Sequence, residues 1–244
     1  MATDLSSMHV RMVLSAEDNA YAALELPDLV YIQHPDVPWE SWRYRYAKRA
    51  VDIFGASAML AVCALPSLAI AAGVRLTSKG PVFYKEQRIG RGGRTFLLWK
   101  FRSMRAKNSE NSVHLAESTD IRWRLSKGNC DSADPRITPF GKFLRKWSLD
   151  ELPQLINVLR GDMSLVGPRP IVEAETGFYR ELLPFYLAAT PGLSGLWQVS
   201  GRSKLDYEKR IKLDAFYMQT WSLSTDLYLL GRTVSAVLSQ AGAC

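Results

Sequence analysis

No residue from Ile53 to Val74 carries a formal charge, and that run of 22 limits what the rest of the chain can do. As a straight helix it is about 33 Å long, enough to cross the roughly 30 Å hydrocarbon core of a bilayer. A single spanning helix is the simplest reading. Two features argue for a bend instead. Pro66 sits mid-run, where proline removes a backbone donor and clashes with the preceding turn. Basic residues also flank both ends: Arg43, Arg45, Lys48 and Arg49 before, Arg75, Lys79, Lys85 and Arg88 after. Lysine and arginine favour the cytoplasmic side, so these flanks assign both ends to that side. A helix that enters one leaflet, bends near Pro66 and returns satisfies both observations. A buried helix of a soluble core is a third reading, weakened by the absence of charge over five turns.

The chain as a whole is basic, with net charge +7 and a pI near 9.4. That balance suits nucleic acid, an anionic membrane face or a phosphorylated substrate. Its 244 residues, 47% of them hydrophobic, allow one core plus an anchor. Cys63, Cys130 and Cys244 lack metal or redox spacing, which fits a reducing compartment. His9, His34 and His114 are scattered, which argues against a histidine-based site. The first residues are polar and acidic, so no cleaved leader is expected.

Chemistry concentrates in two runs. In Ser148-Leu149-Asp150-Glu151-Leu152-Pro153-Gln154, Ser148 and Glu151 have capping-box spacing ahead of an apolar stretch. Pro153 is tolerated only in a first turn, so the spacing predicts a helix starting within a residue or two of Asp150. The positive end of the helix dipole then favours ionised Asp150 and Glu151. An ionised aspartate can attack phosphorus while its neighbour holds a divalent cation. The bland alternative is that acidic residues simply stabilise first turns. Arg145 and Lys146 stand just upstream, and Arg169 is held between Pro168 and Pro170 in the second run, Gly161 to Pro170. Proline fixes φ, and the guanidinium fork suits phosphate oxygens. Read alone, Arg169 is equally an exposed turn residue.

Three regions follow: an extension over 1–45, a membrane helix over 46–76 and a catalytic part over 77–244. Trp39, Trp42, Tyr44 and Tyr46 read either as an interfacial belt or as ordinary packing. Val82–Arg88 and Thr95–Phe101 read as strands of a hairpin turned at Gly90-Arg91-Gly92-Gly93. Residues 79–105 hold eight Lys/Arg against one acid, Glu86, a solvated face or a surface for phosphates and headgroups. Residues 106–133 read as a long loop able to close over a ligand. Stretches 181–189 and 223–238 have helical apolar spacing and either lie on the membrane or pack on the core. Leu196–Val199 reads as a short strand or loop from which Gln198 and Arg202 reach a nucleotide. Asp214 and Asp226 are secondary polar contacts or helix caps.

Several blocks recur in order: Lys48-Arg49 and Asp52; Gly80 to Lys85; Arg88-Ile89-Gly90; Lys100-Phe101-Arg102-Ser103-Met104; Asp134 to Thr138; the two runs above; Pro191 to Arg202; Asp214 to Tyr217; Trp221-Ser222-Leu223 and Asp226. Over roughly residues 46–240 the chain resembles the bacterial sugar transferases of the monotopic phosphoglycosyl transferase type. The resemblance implies an α+β fold, a small monotopic membrane enzyme with a kinked re-entrant membrane helix, a β-hairpin and interfacial amphipathic helices. It implies transfer of a sugar 1-phosphate from a UDP-sugar to polyprenyl (undecaprenyl) phosphate with release of UMP, the first membrane step of exopolysaccharide synthesis. The site would face the cytoplasm at the bacterial inner membrane. Asp150 is the implied nucleophile, forming an aspartyl-phosphosugar, and Glu151 with Asp150 the implied Mg²⁺ site. Lys100, Arg102, Arg145 and Arg169 are implied substrate contacts, and Lys48, Arg49, Asp52 and Pro66 implied parts of the membrane helix and its bend. The implied partners are the UDP-sugar, the polyprenyl phosphate and the lipid bilayer, with no nucleic acid; oligomeric state is left open. Family members of this length often use glucose or galactose, an N-acetylated sugar being the alternative. The chain departs from the family's Ser-Pro bend, since its order is Leu65-Pro66-Ser67.

Two rival classes use the same residues. A membrane-attached phosphohydrolase would employ the carboxylates and metal with water as acceptor. A non-enzymatic basic protein would bind nucleic acid or anionic lipid with steep salt dependence. An ordinary glycosyl transferase would release UDP, and no Gly-x-Gly-x-x-Gly helix start supports one.

Overall fold

The computed structural model describes residues 41–105, 136–201 and 205–239. Most of the 1–45 extension, including Trp39, the loop at 106–133 and Arg202 lie outside them, so the expectations placed there are not addressed.

The apolar run forms one helix, α1 (Arg49–Thr77), entered through a π-turn at Arg43–Lys48, with Pro66 inside it. One stripe of α1 is the more shielded: Asp52, Ala56, Leu60, Cys63, Ser67, Ile70 and Val74 are buried or half-buried, those toward the two ends against the rest of the protein. Their spacing of three and four is that of a single helix face. The other faces are exposed and apolar, with Phe54, Val62, Leu65 and Leu68 each more than 60% exposed. Among the described residues this is the one helix long and apolar enough to cross a membrane.

The expected hairpin forms from β1 (Phe83–Ile89) and β2 (Thr95–Phe101), antiparallel with Phe83 opposite Phe101 and Ile89 opposite Thr95. Gly92 and Gly93 turn it with φ of 68° and 76°, angles that cost glycine little. Next come α2 (Pro139–Lys146), a 3₁₀ turn at Leu149–Glu151 and α3 (Gln154–Arg160). Then β3 (Ser164–Val166) leads through α4 (Thr176–Tyr179) and α5 (Leu183–Ala188) to β4 (Gly192–Ser194). β3 and β4 pair in parallel. Helices α6 (Leu196–Val199), α7 (Tyr207–Gln219) and α8 (Leu223–Ser239) complete the described chain.

Leu196–Val199 is thus a helical turn, not the expected strand or loop. β4 ends at Ser194, and Ser200 Oγ donates to the Leu196 carbonyl at 2.7 Å, closing the turn. Its apolar residues serve the main core, where Leu155, Val158, Leu165, Leu196, Leu213, Tyr217 and Leu229 meet.

Both ends of α1 dock on this body. At its start, Lys48 Nζ is buried against Asp226 Oδ2 (2.6 Å), the Val166 carbonyl (2.8 Å) and Tyr217 Oη (3.2 Å). Asp226 also accepts from Tyr217 Oη and Trp221 Nε1, so it is neither a helix cap nor a peripheral contact. Asp52 Oδ1 accepts from Ser164 Oγ and the Leu165 amide. Arg49 donates to the Val158 and Leu159 carbonyls, orphan acceptors at the end of α3. At the other end Ile70 and Val74 pack with Phe101 and Leu144. Tyr44 is buried edge-on against Trp221, ring centroids 4.8 Å apart, whereas Trp42 and Tyr46 are exposed. Among the described residues, Tyr44 is thus a packing residue, apart from the exposed Trp42 and Tyr46.

Asp214, on the inward face of α7, is wholly buried. Its Oδ2 accepts from the Arg169 amide (3.3 Å) and Tyr179 Oη (3.4 Å), and its Oδ1 has no partner among the described residues. Burial, the largest influence, pushes its pKa up to about 8.

Two outcomes follow for the folded state. Removing one member of a buried ion pair leaves the other unpaired, so Asp226→Ala should cost roughly 3–5 kcal/mol, read from denaturation in detergent. For Asp214, the folded-state pKa lies above its unfolded value of 3.8. Its stabilising contribution is therefore full below pH 4 and is lost as pH rises toward 8. The denaturation midpoint of Asp214→Asn, which mimics the neutral acid, should fall less between pH 6 and 9 than that of the wild type.

Candidate active site

A pocket opens between the hairpin, the start of α3 and the loop after β3. Arg88, Lys100, Glu151, Gln154, Arg169 and Gln198 supply its polar lining, and Leu98, Pro170, Gly192 and Leu193 the rest. The hairpin register explains two of the cations. Lys100 stands opposite Tyr84 and Phe96 opposite Arg88, and with side chains alternating along each strand Arg88 and Lys100 share one face.

The carboxylates come from a tight turn. Thr138 caps α2 by accepting from the Gly141 amide at 2.8 Å. A Cβ on Gly141 would collide with the Ser103 backbone, so glycine lets α2 press against the end of the hairpin. After α2, Ser148 adopts the left-handed conformation (φ 55°, ψ 22°) and turns the chain into the 3₁₀ turn that carries Asp150 and Glu151. The expected capping box does not form: Ser148 makes no side-chain cap bond, and Glu151 Oε1 instead accepts from Lys100 Nζ at 2.8 Å. The left-handed turn points Ser148 away from the helix start, and α3 begins only at Gln154.

Asp150 lies beside the pocket, only 8% exposed. Its pKa is pushed up to about 6, chiefly by burial; Lys100 and Arg145 pull it down and Glu151 pushes it up. A helix dipole alone would leave an ordinary ionised acid, and burial outweighs it. At pH 7, one unit above that value, about nine tenths of the group is still ionised.

Arg169 is held from three directions. Pro168 and Pro170 restrict its backbone, Asp214 accepts its amide, and Glu175 Oε1 lies 3.4 Å from its Nη1. Gly167 sits so close to the Thr190 carbonyl and Gly192 amide that a Cβ would collide, which seats the loop on β4. Glu175 Oε2 is 3.8 Å from Arg88 Nη1, so one carboxylate faces both arginines. Arg88 also donates to the Pro170 carbonyl (3.0 Å) and Glu86 (2.6 Å).

Of the residues expected from sequence, Lys100, Glu151, Arg169 and Gln198 line the pocket, and Asp150 and Arg145 act on one another beside it. Gln198 donates to the Leu193 carbonyl at 3.0 Å. Arg102 lies elsewhere: buried, it donates to the Val74 and Ser78 carbonyls and closes the end of α1. Lys48, Arg49 and Asp52 fasten the start of α1 and are not part of the pocket lining. Arg88 and Gln154 were missed as site residues. Strand alternation from Lys100 across the hairpin, and helical spacing from Asp150, were the signals that could have found them.

The donor set suits a hard cation. Mg²⁺ commonly takes one or two carboxylates together with substrate phosphates, and Asp150 and Glu151 are two adjacent carboxylates at a cationic pocket. No group of three or more His, Cys, Asp or Glu able to hold a metal occurs among the described residues, so a closed protein cage is not formed there. Three cations, two carboxylates and neutral amides form an arrangement competent to bind a diphosphate and to attack it.

Comparison with known proteins agrees in type. The chain is 46% identical over 201 residues to the undecaprenyl-phosphate galactose phosphotransferase of Salmonella typhimurium, covering 82% of this chain but 42% of that protein. It is 44% identical over 201 residues to the UDP-galactose-lipid carrier transferase of Erwinia amylovora, with 82% and 42% covered. It is 43% identical over 199 residues to the exopolysaccharide production protein ExoY of Rhizobium meliloti, with 80% and 87% covered. The chain thus spans less than half of some relatives and nearly nine tenths of another. The model of the bacterial sugar transferases matches residues 43–240, which take in the anchor helix, the carboxylate turn and the arginine loop alike, and the chain belongs to that family.

Proposed function

We propose that the protein transfers a hexose 1-phosphate from a UDP-hexose to undecaprenyl phosphate, releasing UMP, in the initiation of exopolysaccharide or a related glycoconjugate. The observation that carries the reading is the buried aspartate, Asp150, set beside a pocket holding Arg88, Lys100 and Arg169. Relatives whose names specify undecaprenyl-phosphate galactose or glucose-1-phosphate transfer support the donor and acceptor classes.

In the first step an Asp150 carboxylate oxygen attacks the phosphorus bearing the sugar. The bond to the bridging oxygen breaks, and UMP departs with that oxygen. In the second, a phosphate oxygen of undecaprenyl phosphate attacks the same phosphorus, and the carboxylate leaves. Splitting the transfer lets a soluble donor and a lipid acceptor use the site in turn. Arg88, Lys100 and Arg169 stabilise charge on the phosphoryl oxygens. Mg²⁺, held at Glu151 with Asp150 beside it, supplies further charge neutralisation when bound.

The membrane placement is monotopic: α1 bends near Pro66, enters one leaflet and returns, holding the site at the cytoplasmic face of the inner membrane. What supports this is the docking of both ends of α1 on the same body, through Asp52 and Ala56 at one end and Ile70 and Val74 at the other. A spanning helix would separate those ends by the bilayer thickness.

Asp150→Asn removes the nucleophile and should reduce UMP release from UDP-hexose and short-chain polyprenyl phosphate by at least roughly 10⁴-fold, the scale of loss when a member of a nucleophilic catalytic unit is removed. Mass spectrometry of wild-type protein exposed to donor alone should show a hexosyl-phosphate adduct on Asp150. Turnover persisting in the variant would exclude the covalent route. Free hexose 1-phosphate as the product would point to a hydrolase.

A further inference from the structure

Gln154 is 3% exposed, yet its side-chain Nε2 is buried without a hydrogen-bond partner among the described residues. Buried amides in native proteins are nearly always bonded, and leaving one unmade is costly. This one lines the pocket with Lys100, Glu151 and Arg169. Right-handed helical backbone runs from the 3₁₀ turn through Leu152 (φ −51°, ψ −37°) and Pro153 (φ −62°, ψ −17°) into α3. Its bonds run from each amide to the carbonyl three residues back, as in a 3₁₀ turn, so Gln154 follows Asp150 by little more than one turn.

We infer that Gln154 contacts the substrate directly, its side-chain amide donating a hydrogen bond to a non-bridging oxygen of the phosphoryl group that Asp150 attacks. The inference rests on the phosphoryl-transfer function and adds a residue to it. The cations mark the anion-binding end of the pocket. A neutral donor there follows the oxygens as negative charge builds on them, without strengthening an ion pair in the ground state. Being already buried and unbonded, the amide gives up no protein partner when the phosphoryl group arrives, which is what a preorganised donor requires. No proton is transferred.

The test compares Gln154→Met, of similar length and apolar, with the wild-type full chain in lipid nanodiscs, following UMP release and the thermal midpoint. kcat should fall roughly 100-fold, the range seen when one such donor is removed. The midpoint should stay the same or rise, because an unbonded buried amide has been replaced by an apolar group. Gln154→Asn, which keeps an amide but withdraws it, should lose kcat similarly. Unchanged kcat in both variants overturns the inference. So does a loss of activity matched by a lower midpoint, which would make Gln154 a packing residue. A raised KM with kcat intact also overturns it, since that signals a contact equal in ground and transition states, such as a sugar hydroxyl. Asp150→Asn measured in parallel separates the two levels. If it stays active, the covalent reading fails; if it is silent while Gln154→Met is fully active, only the role of Gln154 fails.

Discussion

The ammonium of Lys48 is the joint on which the architecture turns. It is bonded at once to the Asp226 carboxylate on α8, the Val166 carbonyl at the end of β3 and the Tyr217 hydroxyl on α7. Taking two charges out of water is expensive, and their attraction offsets the cost only where further hydrogen bonds satisfy the remaining lone pairs. Here they do: Asp226 accepts from Tyr217 and Trp221 as well as from Lys48. Two residues beyond Val166 begins Pro168-Arg169-Pro170. The base of the apolar helix and the arginine loop are therefore tied to the same short strand, and Asp52 repeats the tie one turn further along through Ser164 and Leu165. Under the proposed function, the depth of α1 in the lipid then sets the height of the pocket, with little slack between them.

Local signals were readable where one element decides its own shape. The glycines of the hairpin turn, the charge-free run and the Pro-Arg-Pro loop all depend on short-range chemistry. Long-range partners were harder to see. Arg102 lies two residues from Lys100 and was grouped with it as a substrate contact, yet it closes the end of α1. Strand alternation sends residues 100 and 102 to one face, but the strand ends at Phe101, and α1 lies where the second cation arrives. Ser148 and Glu151 have capping-box spacing, but a left-handed Ser148 and the pull of Lys100 on Glu151 override it. The β3–β4 pair escaped detection because three-residue strands paired in parallel leave no periodic trace. Asp214 was legible only as a secondary polar contact or a cap, since a buried acid is defined by what surrounds it.

Electrostatics in the pocket is arranged in two layers. Arg88 and Arg169 face inward, with Glu175 behind both at 3.8 and 3.4 Å. Lys100 is engaged by Glu151 at 2.8 Å in a more exposed pair. A counter-ion behind a guanidinium fixes its direction while leaving other N–H groups for a ligand, because the fork carries five donors. Lysine offers a point charge on a flexible stem, so Lys100 is the cation better able to change partner. The same lysine is the largest influence drawing the Asp150 pKa down against burial. Under the proposed function, a shift of Lys100 from Glu151 toward a phosphate oxygen would thus alter Asp150 and the neighbouring carboxylate together.

Three unfavourable features lie within the seven residues from Ser148 to Gln154. Ser148 is left-handed without being glycine, Asp150 is buried with its pKa raised, and Gln154 keeps an amide without a partner. Each is a local cost that persists only where the surroundings over-determine it. They do so here from both sides. Thr138 caps α2 ahead of the turn, and behind it Arg49 closes α3 while Asn157 bonds the Trp99 amide and the Leu97 carbonyl of β2. A turn clamped this firmly cannot relax by moving its side chains outward. Under the proposed function, what relieves it is a ligand that brings oxygen acceptors to the amide and an electrophile to the carboxylate, and a phosphoryl group supplies both at a single tetrahedral centre.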